Sequence, residues 1–234
     1  MKTSDLETQK RFFADQRNQY SPDLILRPPY HTAREIEAVL RALRTQPATG
    51  EVADFGAGTG RLTVPLLRDD FAVCAVDAAE EPLARLRELA AGIPGGSLRT
   101  ATELPESGEF AAVVGTDVLH HIPMETYLPR IREALAPGGR VVFSEPGAFN
   151  PTWWILLTLI GWEEEKGFLN CSVRNLTRVF TRHGFRDLTI TGLGLLPRPF
   201  FNPLPRLCDA NDRAGNAPLL RRAAYRYIVA ARRA

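Results

Sequence analysis

A chain of 234 residues, 44% hydrophobic and 24% charged, suits one globular domain with a sizeable core and leaves too little length for a second full domain. The formal net charge is +2, and Lys/Arg are interleaved with Asp/Glu over most of the length, so no nucleic-acid footprint stands out; the pairs Arg221-Arg222 and Arg232-Arg233 are the exception and read as solvated residues ahead of the alternative, a phosphate or membrane contact. Cys74, Cys171 and Cys208 lie far apart without Cys-x-x-Cys spacing, against a zinc site or a disulfide framework and in keeping with a reducing, cytoplasmic setting. The polar, charged N-terminus lacks the apolar run of a secretory signal, and no segment approaches the roughly twenty apolar residues of a membrane span.

In chain order, residues 1–31 mix polar and aromatic side chains, with Phe12, Phe13, Tyr20 and Tyr30 around a proline-interrupted stretch, and are expected to form an N-terminal cover. Ile36, Val39, Leu40 and Leu43 give the i, i+3, i+4, i+7 stripe of an amphipathic helix. Glu51 to Thr63 then reads as strand, tight turn and helix start, with Gly56, Gly58 and Gly60 free to adopt positive φ and bring backbone amides against a ligand. Asp54 precedes that turn, and a second acid, Asp77, ends the next apolar run, so one ligand is expected to bridge the two strand ends. A helix from Ala79 to Ala91, a short strand near Ser97 to Thr100 and a strand over Ala111 to Thr116 follow. This alternation predicts an α/β fold with a parallel sheet, helices on both faces and ligand at the carboxyl ends of the strands.

Downstream, Tyr127, Leu128, Ile131 and Leu135 mark a helix that Pro137-Gly138-Gly139 is expected to end, before a strand from Arg140 to Glu145. Near 146–171 comes an insertion crowded with Trp153, Trp154, Ile155, Leu156, Leu157, Leu159, Ile160 and Trp162; a helix apolar all round packs beneath a lid, walls a hydrophobic pocket, or touches a membrane surface. Ser172 and Gly184 bracket another helix, and strands follow at Phe185 to Thr191 and at the C-terminus. The proline-rich stretch between those strands, within an insertion near 192–220, is expected to be irregular.

The run Asp54-Phe55-Gly56-Ala57-Gly58-Thr59-Gly60 resembles motif I of the class I S-adenosylmethionine-dependent methyltransferases, and its G-x-G-x-G spacing departs from the G-x-G-x-x-G of dinucleotide-binding proteins. The segment from Leu119 to Gly139, with Leu119-His120-His121 and Pro137-Gly138-Gly139, resembles the same family, specifically its small-molecule, quinone-biosynthesis-like group. The resemblance implies a Rossmann-like, doubly wound, seven-stranded and mostly parallel sheet with the last strand antiparallel, formed by residues 32–234. It also implies S-adenosylmethionine as cofactor, S-adenosylhomocysteine as product and no metal. The cofactor contacts it implies are Asp54, Gly56, Ala57, Gly58, Gly60, Asp77, Ala78, Thr100, Ala101 and Thr116. Where the family often carries acids, this chain has Thr100 and Ala111, so the adenine contact is expected from the Thr100 hydroxyl, backbone near Ala101, or Glu103.

The chemistry implied is in-line methyl transfer to oxygen or nitrogen of a small apolar or aromatic acceptor, for which position and desolvation do most of the catalysis. His120 and His121 are the candidate general bases, because imidazole titrates near operating pH. Tyr20, Glu145, Trp153 and Trp154 are the candidate acceptor contacts. Peripheral membrane contact is compatible with the Trp-rich insertion, and a non-methylating binder of the same cofactor is the alternative function.

Overall fold

The computed structural model describes residues 20–45, 50–106, 108–160 and 166–234. The expected cover before Tyr20 and the position of Trp162 lie outside them. A short helix α1 (Pro22–Leu26) precedes α2 (Tyr30–Arg44), β1 (Val52–Phe55), α3 (Thr63–Arg68), β2 (Val73–Val76) and α4 (Glu80–Ala90). Then come β3 (Leu98–Ala101), β4 (Phe110–Thr116), α5 (Met124–Ala134), β5 (Leu135–Pro146) and α6 (Pro151–Ile160). The chain closes with α7 (Val173–Arg182), β6 (Phe185–Leu193), α8 (Pro205–Asn216) and β7 (Arg226–Arg233).

The seven strands lie in the order β3-β2-β1-β4-β5-β7-β6, all parallel except β7, which is inserted antiparallel between β5 and β6. The expected doubly wound sheet is therefore the one formed. Strand alternation divides its core: Val113 and Phe143 join α5 and α7 on one face, while Val114 and Val142 join α2 and α3 on the other. Because both faces are covered, the central strands read as unbroken apolar runs. The order reverses at β1 and β4, and the crevice at their carboxyl ends is where such a sheet accepts a ligand.

Two sequence expectations change. Helix α5 ends at Ala134, and Leu135 already pairs with Phe110 while Arg140 pairs with Ala112, so Pro137-Gly138-Gly139 forms an outward bulge within β5. The stretch expected to be irregular contains α8, with Pro205 in its first turn, where a missing amide costs nothing. Its buried face, Cys208, Asn211, Asp212 and Gly215, keeps helical spacing without apolar character.

Helix α8 sits against the end of β6 at backbone distance. A Cβ at Gly215 would lie 2.3 Å from the Gly194 carbonyl oxygen, and one at Gly192 would lie 2.0 Å from the Gly215 carbonyl oxygen. Helix propensity alone favours Gly215→Ala by about 1 kcal/mol. The backbone clash reverses that sign: the substitution is expected to destabilise the protein by about 1–3 kcal/mol, read from the midpoint of denaturant unfolding.

Candidate active site

Strand β1 hands over to α3 through the glycine turn. Gly56 and Ala57 donate backbone hydrogen bonds to the Val76 carbonyl at 2.8 and 3.0 Å, which hooks the turn onto β2. Gly56, Gly58 and Gly60 have φ of 77°, 51° and 101°. Each serves a different need: a Cβ at Gly56 would strike Val118 at 2.7 Å and one at Gly60 would strike Leu86 at 2.4 Å, whereas Gly58 faces open space. That space is a cavity of about 580 Å³ at the carboxyl ends of β1, β2 and β4.

Asp77 lies at its rim. One carboxylate oxygen accepts the Gly58 amide at 2.8 Å and the other the Ala79 amide at 3.0 Å, so the acid fixes both the glycine turn and the start of α4. Beside it stand Ala57, Ala78 and Pro82, and beyond them Thr102, Glu103, Leu104, Ile122 and Tyr127 make a largely apolar slot. Tyr20, Arg61, Thr116, Asp117 and His121 surround the other end, where the Arg61 guanidinium stacks over the Tyr20 ring at 4.9 Å.

Several expected site residues are placed elsewhere. Asp54 is buried and lies off the cavity; it accepts the Thr63 hydroxyl at 2.6 Å and so clamps the two ends of the glycine turn. Burial pushes its carboxyl up to about 7, with hydrogen bonding from Thr63 acting against the rise. Thr100 accepts Arg87 at 2.8 Å, and neither it nor Ala101 lines the cavity; the wall there begins at the next residue, with Thr102, Glu103 and Leu104.

Glu145, expected to face an acceptor, is fully buried instead. One oxygen accepts the amides of Val118 and Leu119 at 3.0 and 2.8 Å, and the other meets His120 Nδ1 at 2.7 Å. The glutamate therefore anchors the turn after β4 from the neighbouring strand. Its grip separates the two histidines: His120 is turned to Glu145, while His121 lines the cavity, their rings 3.9 Å apart. Cys171 adds its thiol 3.8 Å from Glu145, so ligand-type atoms of His120, Glu145 and Cys171 gather within 4.8 Å of one another, a cluster the linear spacing concealed. Trp153 and Trp154 also stand outside the cavity wall. Trp153 stacks on Tyr225 at 4.7 Å and donates to its carbonyl, and Trp154 donates to the Ala148 carbonyl.

Behind the cavity lies an ionic network that the linear order did not reveal. Glu35 on α2 accepts Arg61 at 2.8 Å, Arg226 at 3.1 Å and the Ser144 hydroxyl at 2.7 Å. Asp117 accepts the same two arginines at 2.7 and 2.6 Å, its backbone in the left-handed region at φ 56°, which aspartate tolerates. Arg198, also buried, holds Asp212 of α8 in a two-point contact at 2.8 and 3.0 Å. Burial pushes the Glu35 and Asp117 carboxyls up, but Arg226 and Arg61 outweigh it and hold both below the ordinary carboxylate range.

Comparison with known proteins identifies the family and the fold. A family model described as a methyltransferase domain matches residues 30–190, and the chain belongs to that family. It is 30% identical over 131 residues to a ubiquinone biosynthesis O-methyltransferase of Xanthomonas axonopodis pv. citri, covering 52% of this chain and 55% of the relative. It is 36% identical over 97 residues to an uncharacterised methyltransferase of Mycobacterium tuberculosis, covering 40% and 39%. The chain spans about half the length of the curated relatives it matches. Among solved structures, it superposes on a phosphoethanolamine N-methyltransferase of Haemonchus contortus in complex with S-adenosyl-L-methionine, with TM-score 0.63, 16% identity and coverage of 96% and 60%. It also superposes on the magnesium protoporphyrin IX methyltransferase of Synechocystis, with TM-score 0.59, 17% identity and coverage of 98% and 97%. At these identities the superpositions establish the fold, a Rossmann-like methyltransferase sheet.

The raised Asp54 carboxyl carries a pH signature. The folded chain binds this proton more tightly than the unfolded chain does, with a pKa of about 7 against 3.8, so ionisation works against the fold. The penalty is absent below the unfolded value, grows as pH rises through the window, and is complete above the folded value. Asp54→Asn keeps an acceptor for Thr63 and removes the charge. Its melting temperature relative to the parent protein is expected to rise steadily from acid pH to pH above 7; a difference independent of pH would contradict a protonatable Asp54.

Proposed function

We propose that this chain transfers the methyl group of S-adenosylmethionine to a small-molecule acceptor. The observation that carries the reading is the cavity itself, in which the open face of Gly58, the Asp77 carboxylate and a largely apolar slot converge at the switch point of the sheet. The donor set fits the cofactor. A carboxylate at a strand end suits ribose hydroxyls, Leu104 and Ile122 suit the faces of an adenine, and Thr102 and Glu103 offer polar groups at its edge. Asp117 and Arg61 offer charges of both signs in the cavity wall, which suits an amino-acid end. When bound, the cofactor supplies an electrophilic methyl carbon on a sulfonium.

The chain's own residues then have two tasks. Tyr20, Val118 and Tyr127 wall the cavity and exclude water, which favours an apolar or aromatic acceptor. His121 faces the cavity and takes the acceptor's proton where the nucleophile arrives protonated, whereas His120 is committed to Glu145. The names of the matched proteins include O-, N- and C-methyltransferases, so the oxygen or nitrogen nucleophile rests on the family resemblance of the His120-His121 segment and on the imidazole facing the cavity.

Titration calorimetry with S-adenosylhomocysteine tests the cofactor reading. Saturable binding is expected, weakened at least about tenfold in Asp77→Ala, a loss of about 1.4 kcal/mol or more. Absence of binding to the parent protein would overturn it, and binding without labelled methyl transfer to any acceptor would favour the non-methylating binder. With an acceptor in hand, His121→Ala is expected to lower kcat by about 10²-fold or more while leaving cofactor affinity unchanged. Equal turnover in His121→Ala and the parent protein would remove the histidine from the mechanism.

A further inference from the structure

A second depression, of about 610 Å³, opens at the amino ends of the strands, between the last turns of α2 and the outer part of the sheet. It lies at the far edge from the cofactor cavity: Arg140 in its wall pairs with Ala112 near the start of β4, whereas Thr116, at the end of β4, lines the cavity. Helix α8 packs over the end of β6 at Gly192 and leaves Asp187, Thr189 and Thr191 exposed.

The charge placed there is unusual for a sheet. Arg140 stands directly opposite Arg232 across β5 and β7, both in the groove wall, whereas Arg186, the β6 partner of Arg232, lies outside the lining. Like charges directly opposite one another are destabilising, so the pair Arg140 and Arg232 calls for a counter-charge. Asp187 approaches Arg232 at 3.6 Å but is 69% exposed, which limits its neutralising effect. Arg41, at the rim on α2, has Glu37 at 3.8 Å in an equally solvated pair. Arg140 donates to the carbonyls of Ala42 and Leu43 and to the Thr45 hydroxyl, which caps α2 and fixes one positive charge in the wall. Burial, and after it the charge of Arg232, pushes the Arg140 guanidinium below its ordinary value. The Nε of Arg232 is buried without a hydrogen-bond partner among the described residues.

We propose that this groove is a binding site for a phosphate-bearing small molecule, with Arg232 and Arg41 meeting the phosphate oxygens and the hydroxyls of Thr189 and Thr191 beside them. Guanidinium forks match phosphate oxygens two at a time, and the fixed charge of Arg140 raises the local potential. The site is separate from the methyl-transfer cavity and does not depend on the function proposed for it.

The test is titration calorimetry of the full chain at low ionic strength with inorganic pyrophosphate and, separately, with uridine diphosphate. One-to-one saturable binding of pyrophosphate is expected, weakened about tenfold or more in Arg232→Gln and in Arg41→Gln, with S-adenosylhomocysteine affinity unchanged in both. Arg41 is largely exposed, so its variant keeps the test valid if Arg232→Gln fails to fold. Tighter binding of uridine diphosphate than of pyrophosphate would assign the site to a nucleotide; equal affinity would assign it to the phosphate group alone. Absence of saturable binding, or binding untouched by both substitutions, would overturn the proposal.

Discussion

Glu35, Asp117, Arg61 and Arg226 meet behind the cavity in a closed set of ion pairs, with Arg198 and Asp212 beside them. Charges as buried as Glu35, Arg226 and Arg198 would cost several kcal/mol each if isolated, so they are tenable only because each is met by opposite charge and by hydrogen bonds. Its members come from α2, the glycine turn, the end of β4, β7 and α8, and Ser144 of β5 closes the remaining gap by donating to Glu35 and accepting from Arg226. The antiparallel entry of β7 between β5 and β6 is what delivers Arg226 to this point. Removing one partner would leave one charge of the set in excess, which makes the positions of Arg61 and Asp117 at the cavity wall a property of the whole fold.

The turn after β4 is fixed by a second buried acid. Glu145 reaches across from β5 to take two successive amides and an imidazole, and a carboxylate that accepts three donors at one turn leaves that turn little freedom. Thr116, Asp117, Val118, His121 and Ile122, all in or beside that turn, line the cavity. Two adjacent histidines thereby acquire unlike surroundings: one is oriented by Glu145, and the other is presented to the space where an acceptor would sit.

Much of this was legible from local pattern. The stripe Ile36, Val39, Leu40, Leu43, the Ser172 cap and the β1 glycine turn each specify their element with nearby residues, and the Asp54–Gly60 run locates the cavity. What was hidden depends on partners far along the chain. Asp117 and Arg226 are 109 residues apart, as are Glu35 and Ser144, and nothing local in either pair announces the other. Helix α8 buries Asn211 and Asp212 in its middle, so an apolar periodicity search passes over it. Glu145 was correctly placed at a strand end near the rim, but whether a side chain at that end points to ligand or to the neighbouring turn is decided by strand pairing. Thr100 illustrates the same limit: the strand end was found, and the chain needed two more residues to reach the cavity.

Helix α6 shows how packing, one of the three uses open to the Trp-rich insertion, is the one that Trp153 and Trp154 serve. Its helix has no charged residue, yet its anchoring is polar as well as aromatic: Asn150 donates to the carbonyls of Leu195 and Ala223, and the Trp153 indole donates to Tyr225 while stacking on its ring. Tyr225 directly precedes Arg226, and its amide is held by the Gly194 carbonyl at 2.7 Å. The tryptophan therefore braces the start of the strand that carries the central arginine. An indole suits that task because it offers a large flat face to another ring and a single donor to a carbonyl that already accepts Gly147. By this route the insertion supports the ionic network from outside, and the cavity keeps its charged wall without either tryptophan entering it.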